Sequence, residues 1–502
     1  MSDIVLTTLN ARYIHSSLGL RYLLANLGSL EKKASIVEFI IDKRPIDVVE
    51  QLLALQPKII GLGVYIWNVE QCTQIVALLK QIRPDITIVI GGPEVSYEQP
   101  SQQIFQLADY AVSGPGENSF HDLCLQLLDK QRPNSKIIPS SNRELKELNQ
   151  PYDYYTDEDV AHRIIYVEAS RGCPFKCEFC LSALDKTAKP FDIDLFLAAM
   201  ERLYQRGVRH FKFVDRTFNL KIAISVRIMR FFRTQCPDAF LHFELIPDHL
   251  PKALKEEITA FSQDKLQFEI GIQSFNPEVQ SLISRKQNNK KTCENLAWLR
   301  TQSHAHLHTD LILGLPGEDL ASIEQGFNKL ASLNPHEIQV GILKRLKGTP
   351  IIRHTDTYKM RYNPHPPFNV LATDRIDFET MQRLNRFARY WDMIANSGRF
   401  KHTMPLVLQG NAFTNFLQLT DWLFETTGQT HKISLPRLFE LLYKGVTQTL
   451  LIDKALFTKS LLEDFKVSGI KGRAKFLDTA NSRSEQAAQQ SFMQRQTRHT
   501  QK

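Results

Sequence analysis

The chain has 502 residues, 43% of them hydrophobic and 23% charged, with a formal net charge of +8. That length leads to an expectation of two or three domains with sizeable cores, and the sequence holds no apolar run near the roughly 20 residues that cross a bilayer. Part of the basic excess sits in the tail, where Arg483, Arg495, Arg498 and Lys502 face only Glu485, so it argues for a solvated tail rather than a nucleic-acid surface.

The first stretch alternates strand and helix signals. Strands are predicted at Ile4–Leu9, Ser35–Ile41, Lys58–Tyr65, Ile86–Ile90 and Ala108–Ser113. Helices are predicted at Leu18–Leu30, Ile46–Leu55, Val69–Ile82 and Glu117–Leu128. Such alternation implies an α/β fold with a doubly wound parallel sheet, here over residues 1–135. Ligands of these sheets sit at the carboxyl ends of the strands. Those ends carry Tyr65 and Trp67, then Gly91, Gly92 and Glu94, then Gly114, Gly116 and Glu117. The glycines permit close backbone approach to a large ligand, and the two aromatics offer a flat apolar surface.

Residues 136–160 read as a polar linker. Alternation resumes over 161–350, with strands at Arg163–Glu168, His210–Val214, Leu241–Leu245, Leu266–Ile272, His306–Leu313 and Glu337–Leu343. Six βα units again imply a parallel sheet, whose site belongs at the C-terminal strand ends. Beyond a Pro-rich stretch at 363–367, helical spacing over Asp374–Ala395, Asn415–Glu425 and Leu435–Lys444 implies an all-α domain at 351–470. Residues 471–502 are glutamine-rich and polar, the composition of a disordered tail.

Three of the seven cysteines carry the chemistry. Cys173, Cys177 and Cys180 follow a C-x3-C-x2-C spacing on one loop. Three thiolates there can hold three irons of a [4Fe–4S] cluster, leaving the fourth iron open for a ligand. Cys72, Cys124, Cys236 and Cys293 are scattered and read as reduced core residues. A reducing compartment suits such a cluster, and the start of the sequence lacks the basic and apolar regions of a signal peptide. The expectation is a cytoplasmic protein.

The triplet, with aromatic Phe179 before its third cysteine, resembles the signature of the radical S-adenosylmethionine (SAM) enzymes. The glycine-rich strand ends placed before it resemble the cobalamin-binding domain many of them carry. The helical C-terminal part resembles the extra domain of one bacterial subgroup. The resemblance implies a (β/α)6 core whose open iron binds the amino and carboxylate groups of SAM, and an electron that splits SAM into methionine and a 5′-deoxyadenosyl radical. It implies a reducing partner such as flavodoxin or ferredoxin. SAM carries a carboxylate, an ammonium and a ribose diol, so its pocket needs acceptors and a cation. Glu244 and Gln273 are candidates for polar contact, Arg285 for a bidentate grip on the carboxylate, and Asp215 for SAM or substrate. Asp310 and Glu318 read as structural. Tyr65, Trp67, Gly91, Gly92, Glu94, Gly114, Gly116 and Glu117 are the cobalamin candidates. The Asp-x-His-x-x-Gly motif that supplies a cobalt ligand in many cobalamin domains is missing, and His15 is not in that setting.

The implied activity is methylation of an unactivated carbon, with cyclisation or another rearrangement as the rival. The substrate stays open between a lipid, a peptide and a small metabolite. An RNA-modifying methylthiotransferase would need a second cysteine triplet, yet residues 1–140 offer Cys72 and Cys124 alone. A non-catalytic zinc module would need a fourth ligand; His162 is the nearest histidine, and the Ile164–Val167 strand intervenes.

Overall fold

The computed structural model describes residues 2–141, 144–471, 474 and 476. The polar tail expected from residue 471 lies, apart from Lys471, Ala474 and Phe476, outside them. The chain divides into two compact units, one running to Met381 and the other starting at Gln382.

The first unit opens with strands β1 (Ile4–Asn10), β2 (Ala34–Ile40), β3 (Ile59–Gly63), β4 (Thr87–Gly91), β5 (Tyr110–Ser113) and β6 (Ile137–Pro139). They form one parallel sheet in the order β2-β1-β3-β4-β5-β6. All seven residues of β1 are buried, as expected of a parallel sheet covered on both faces. Val5, Leu9, Ile60 and Ile88 pack on one side with Val48, Val76 and Leu79. Ile4, Leu6, Ile59 and Val89 pack on the other with Leu20 and Phe120. Strand β6 falls in the stretch expected to be linker. Three residues between polar runs are too short to show a period.

A second parallel sheet follows. Its strands are β7 (Ile165–Val167), β10 (His210–Phe213), β11 (Phe240–Leu245), β12 (Leu266–Gln273), β13 (His306–Leu313) and β14 (Glu337–Ile342), ordered β14-β13-β12-β11-β10-β7. Two short strands between β7 and β10, β8 (Ser170–Arg171) and β9 (Lys189–Pro190), pair antiparallel and pin the base of the cysteine loop. In β12, Leu266, Phe268, Ile270 and Ile272 are buried while Gln267, Glu269, Gly271 and Gln273 are half-buried. The apolar set faces the helices, and the polar set lines the inside of the half barrel.

The first domain grips both margins of this sheet. At the β7 margin, Ile164 N–H donates to Ile14 O at 2.9 Å and Ser16 Oγ to Ile164 O at 2.9 Å. Arg21 pairs with Asp159 at 2.6 Å and Glu38 at 2.9 Å, all with buried side chains. At the β14 margin, Arg345 pairs with Glu98 at 2.7 Å and Lys347 with Glu94. Residues 351–381, expected in the C-terminal domain, belong instead to this unit: Ile351 N–H donates to Glu178 O and Arg375 Nη1 to Gly317 O.

The second unit is all-α, with helices Ala412–Thr427, Leu435–Thr449 and Lys454–Val467 following the end of Phe378–Ile394. Phe387 packs on Trp391, Phe413 and Phe416 in its core. Buried Asp464 accepts from His402 N–H, Thr403 N–H and Thr403 Oγ1 at 2.6–3.0 Å. Among the described residues, no helix is long and apolar enough to cross a membrane.

Candidate functional site

The cysteine loop hangs from β8 and β9 at the C-terminal end of β7. Gly172, just before Cys173, has φ +93°, and a Cβ there would lie 2.2 Å from Thr187 O. Only glycine lets the loop close this tightly. Cys173, Cys177, Cys180 and Phe179 all line one cavity of about 240 Å³, together with Arg285 and Gln273. Burial pushes the Cys173 and Cys177 thiols up, with Arg285 opposing it at Cys177. Metal binding there would release protons.

The donor set fits a cluster. Among the described residues, no three Cys, His, Asp or Glu side chains gather tightly enough for a single metal ion. The three thiols instead open on a shared cavity, as they must when each takes a different iron. A structural zinc would want four ligands about one point.

The opposite wall fits SAM. Arg285 Nη1 lies 3.7 Å from Cys177 Sγ, and its Nη2 donates to Gly271 O. Gln273 sits at a register shift between β12 and β13, with φ +69°. A non-glycine residue keeps that backbone only when its surroundings enforce it. Its Oε1 is buried with no hydrogen-bond partner among the described residues, an acceptor left for a ligand N–H or O–H. Glu244 Oε1 accepts from Arg216 Nη1 at 2.6 Å, and burial pushes its carboxyl up to about 7.

Two expectations change here. Asp215 does not line this cavity. Its buried carboxylate turns back to accept from Ala169 N–H at 3.0 Å and Ser170 Oγ at 2.6 Å, fixing the start of the cysteine loop. Asp310, read as structural, lines the cavity, as do Arg216 and Glu269. For Glu269 the signal was the alternation of polar with apolar residues in β12, since a parallel strand covered on both faces reads as a continuous apolar run. Burial raises the Asp310 carboxyl. Burial would raise Glu269 too, but His242 and Lys212 outweigh it and hold that carboxyl down to about 2.

The strand ends of the first domain form a second candidate surface. The Tyr65 and Trp67 rings stack with centroids 4.4 Å apart and planes at 7°. Trp67 stays 45% exposed, an unusual position for so large an apolar group. Asn68 builds the turn beneath them, donating to Leu9 O and accepting from Tyr65 N–H. Gly92 has φ +106°, and a Cβ there would lie 2.6 Å from Val64 O. A flat aromatic pair beside side-chain-free strand ends fits the broad face of a corrin. Gly91, Gly114 and Gly116 sit at the same edge. Glu94 and Glu117 face the barrel instead: Glu94 pairs with Lys347, and Glu117 with Arg171 at 2.8 Å. His15 also turns to the barrel, its Nδ1 2.7 Å from the Tyr166 hydroxyl. Cys72 and Cys124 are fully buried in the two separate cores of this domain.

Comparison with known proteins finds three matching families along the chain. Residues 4–124 match the B12 binding domain, 167–330 the Radical SAM superfamily, and 356–502 a protein family of unknown function, DUF4080. The chain is 24% identical to a 2-(S-pantetheinyl)-carbapenam-3-carboxylate methyltransferase of Streptantibioticus cattleyicolor over 61% of its own length and 50% of that protein. It is 23% identical to the cobalamin-dependent radical SAM methyltransferase TokK of Streptomyces tokunonensis over 82% of its own length and 65% of that protein. It thus spans about half to two thirds of these relatives. The fold is that of the radical SAM methyltransferase TsrM from Kitasatospora setae, solved with cobalamin and a [4Fe-4S] cluster, at a TM-score of 0.62 and 14% identity, covering 94% of this chain and 100% of that one. The cofactors that go with the two matched domains are cobalamin, a [4Fe–4S] cluster and SAM. The cysteine triplet, the half barrel and the leading parallel sheet lie in one compact unit, and the chain carries a B12-binding domain followed by a radical SAM domain.

Proposed function

We propose that this protein is a cobalamin-dependent radical SAM enzyme that methylates an unactivated carbon. The observation that carries the reading is one placement. The strand-end edge of the first domain is tied to both margins of the half barrel, while the three thiols, Arg285 and Gln273 meet in the cavity at the barrel's own strand ends. When bound, the cluster and SAM supply a hydrogen-abstracting radical, and cobalamin supplies a methyl carrier. The protein's share is placement. Arg285, its Nε and Nη2 held by Gln287 Oε1, offers its positive charge and Nη1 to the SAM carboxylate. Gln273 Oε1 offers an acceptor to its ammonium. Phe179 borders the space for the adenine, and the paired Glu244 and Arg216 close the wall beside it. The TokK and TsrM likenesses support methyl transfer as the outcome.

The test is anaerobic purification with hydroxocobalamin and mass spectrometry of the SAM products. 5′-Deoxyadenosine together with S-adenosylhomocysteine is expected. 5′-Deoxyadenosine alone would replace methyl transfer with a rearrangement. 5′-Deoxyadenosine from Cys177→Ala would overturn the cluster assignment.

A further inference from the structure

Glu178 lies between the second and third cysteines of the triplet, where a solvated spacer would serve the spacing equally well. It is instead 4% exposed. Its carboxylate accepts from Ser284 Oγ at 2.6 Å, Arg353 Nε at 2.8 Å, Arg353 Nη2, and His354 Nε2 at 2.9 Å. Its backbone is held as firmly: its N–H donates to Ile283 O, and its carbonyl accepts from Ile351 N–H, both at 3.0 Å. A carboxylate this buried is expensive unless it is paired and fully hydrogen-bonded, and here it is.

The partners come from two places. Ser284 precedes Arg285, the guanidinium that reaches toward Cys177 Sγ. Ser284 has φ +54°, a left-handed corner that a serine holds only when its surroundings fix it. Arg353 and His354 belong to the short helix Pro350–His354 just past the barrel. His354 Nε2 also reaches Leu282 O at 3.1 Å, closing the knot onto the turn that leads to Ser284.

We infer that Glu178 is a positioning residue that sets the spacing between the cluster loop and Arg285, and that the segment 350–354 after the barrel is part of the cluster site. The inference rests on the cluster and SAM reading above. Glu178 touches neither cofactor; it acts through Ser284 on Arg285 and through its own backbone on Cys177. Displacing Arg285 would move the group that meets the SAM carboxylate while leaving all three thiols present.

The test is anaerobic reconstitution of the full chain with iron and sulfide, followed by reduction and titration of the EPR signal with SAM. Glu178→Gln is expected to hold as much iron as wild type, yet to need about tenfold more SAM for half-conversion of the signal. Arg353→Ala is expected to shift in the same direction. The double variant should be no weaker than the stronger single one, because both act through one contact. A wild-type SAM titration in Glu178→Gln at full iron content overturns the inference, and so does strict additivity. Where Glu178→Gln fails to fold or to keep iron, Ser284→Ala and Arg353→Ala decide, and wild-type titrations in both overturn it. A wild-type protein whose reduced signal ignores SAM would instead refute the function proposed above.

Discussion

Arg171, two residues ahead of the first cysteine of the triplet, donates to Glu117 of the first domain at 2.8 Å. The same guanidinium grips Glu168 through Nε and Nη2 and lies over the Tyr22 ring at 4.9 Å. One cation therefore ties the entry of the cysteine loop to the strand-end edge of the B12-binding domain. Its side chain is 19% exposed, and those of Glu117 and Glu168 are 9% and 11%. Arg171→Ala leaves two largely buried carboxylates without their partner. It is expected to cost on the order of 3 kcal/mol in urea unfolding.

A second prediction concerns Gly172. Alanine there must bear φ +93° and force a Cβ against Thr187 O, a backbone atom that cannot swing away. Gly172→Ala is expected to cost at least about 2 kcal/mol. The strain falls on the cysteine loop itself, so iron content after reconstitution should drop well below wild type. An alanine variant with full iron and wild-type stability would contradict the loop geometry.

The opposite margin gives a third. Glu94 is 3% exposed and depends on Lys347. Lys347→Met strands that carboxylate and is expected to cost about 3 kcal/mol. Adding Glu94→Leu removes the stranded charge, so the double variant should recover much of the loss. Denaturant midpoints of the four proteins in the cycle measure it. A double variant as weak as Lys347→Met would show that the pair does more than satisfy itself.

Glu318 supplies a pH dependence. Burial raises its carboxyl from 4.5 to about 8, with Ser274 Oγ at 2.6 Å opposing the shift. A carboxyl raised in the folded state favours folding while protonated, and that contribution is lost as pH climbs from the ordinary glutamate value through the folded one. Glu318→Gln stays neutral throughout. Its stability relative to wild type is therefore expected to rise between pH 4.5 and 8, by at least about 1 kcal/mol. A difference that is flat with pH would mean the carboxyl ionises normally.

The backbone plan was legible because hydrophobic period and strand-end punctuation are local signals. The helix Val69–Ile82 and strand His306–Leu313 were found to the residue. Strand β6 was not, since three residues show no period. The cavity was legible where a motif or strand end announced it, as at Cys173, Cys177, Cys180, Gln273 and Arg285. It was illegible where the decisive partner is remote in sequence. Nothing local to Glu94 points to Lys347, and nothing local to Glu178 points to Arg353. Asp215 was misplaced for a related reason. Its position at a strand end was right, but the direction of its carboxylate was set by Ser170, on a neighbouring segment. The helix Lys454–Val467 was not named because its apolar residues do not form one stripe: Phe457 and Leu461 are buried, while Leu456 and Val467 point to solvent.

The leading sheet is clasped at Ile164 on one margin of the half barrel and at Lys347 on the other. The covalent link between them is therefore redundant for holding the pieces together. A protease nick within residues 131–135 should leave two polypeptides that elute as a single particle from a sizing column in native buffer. They should part only when denaturant dissolves both clasps.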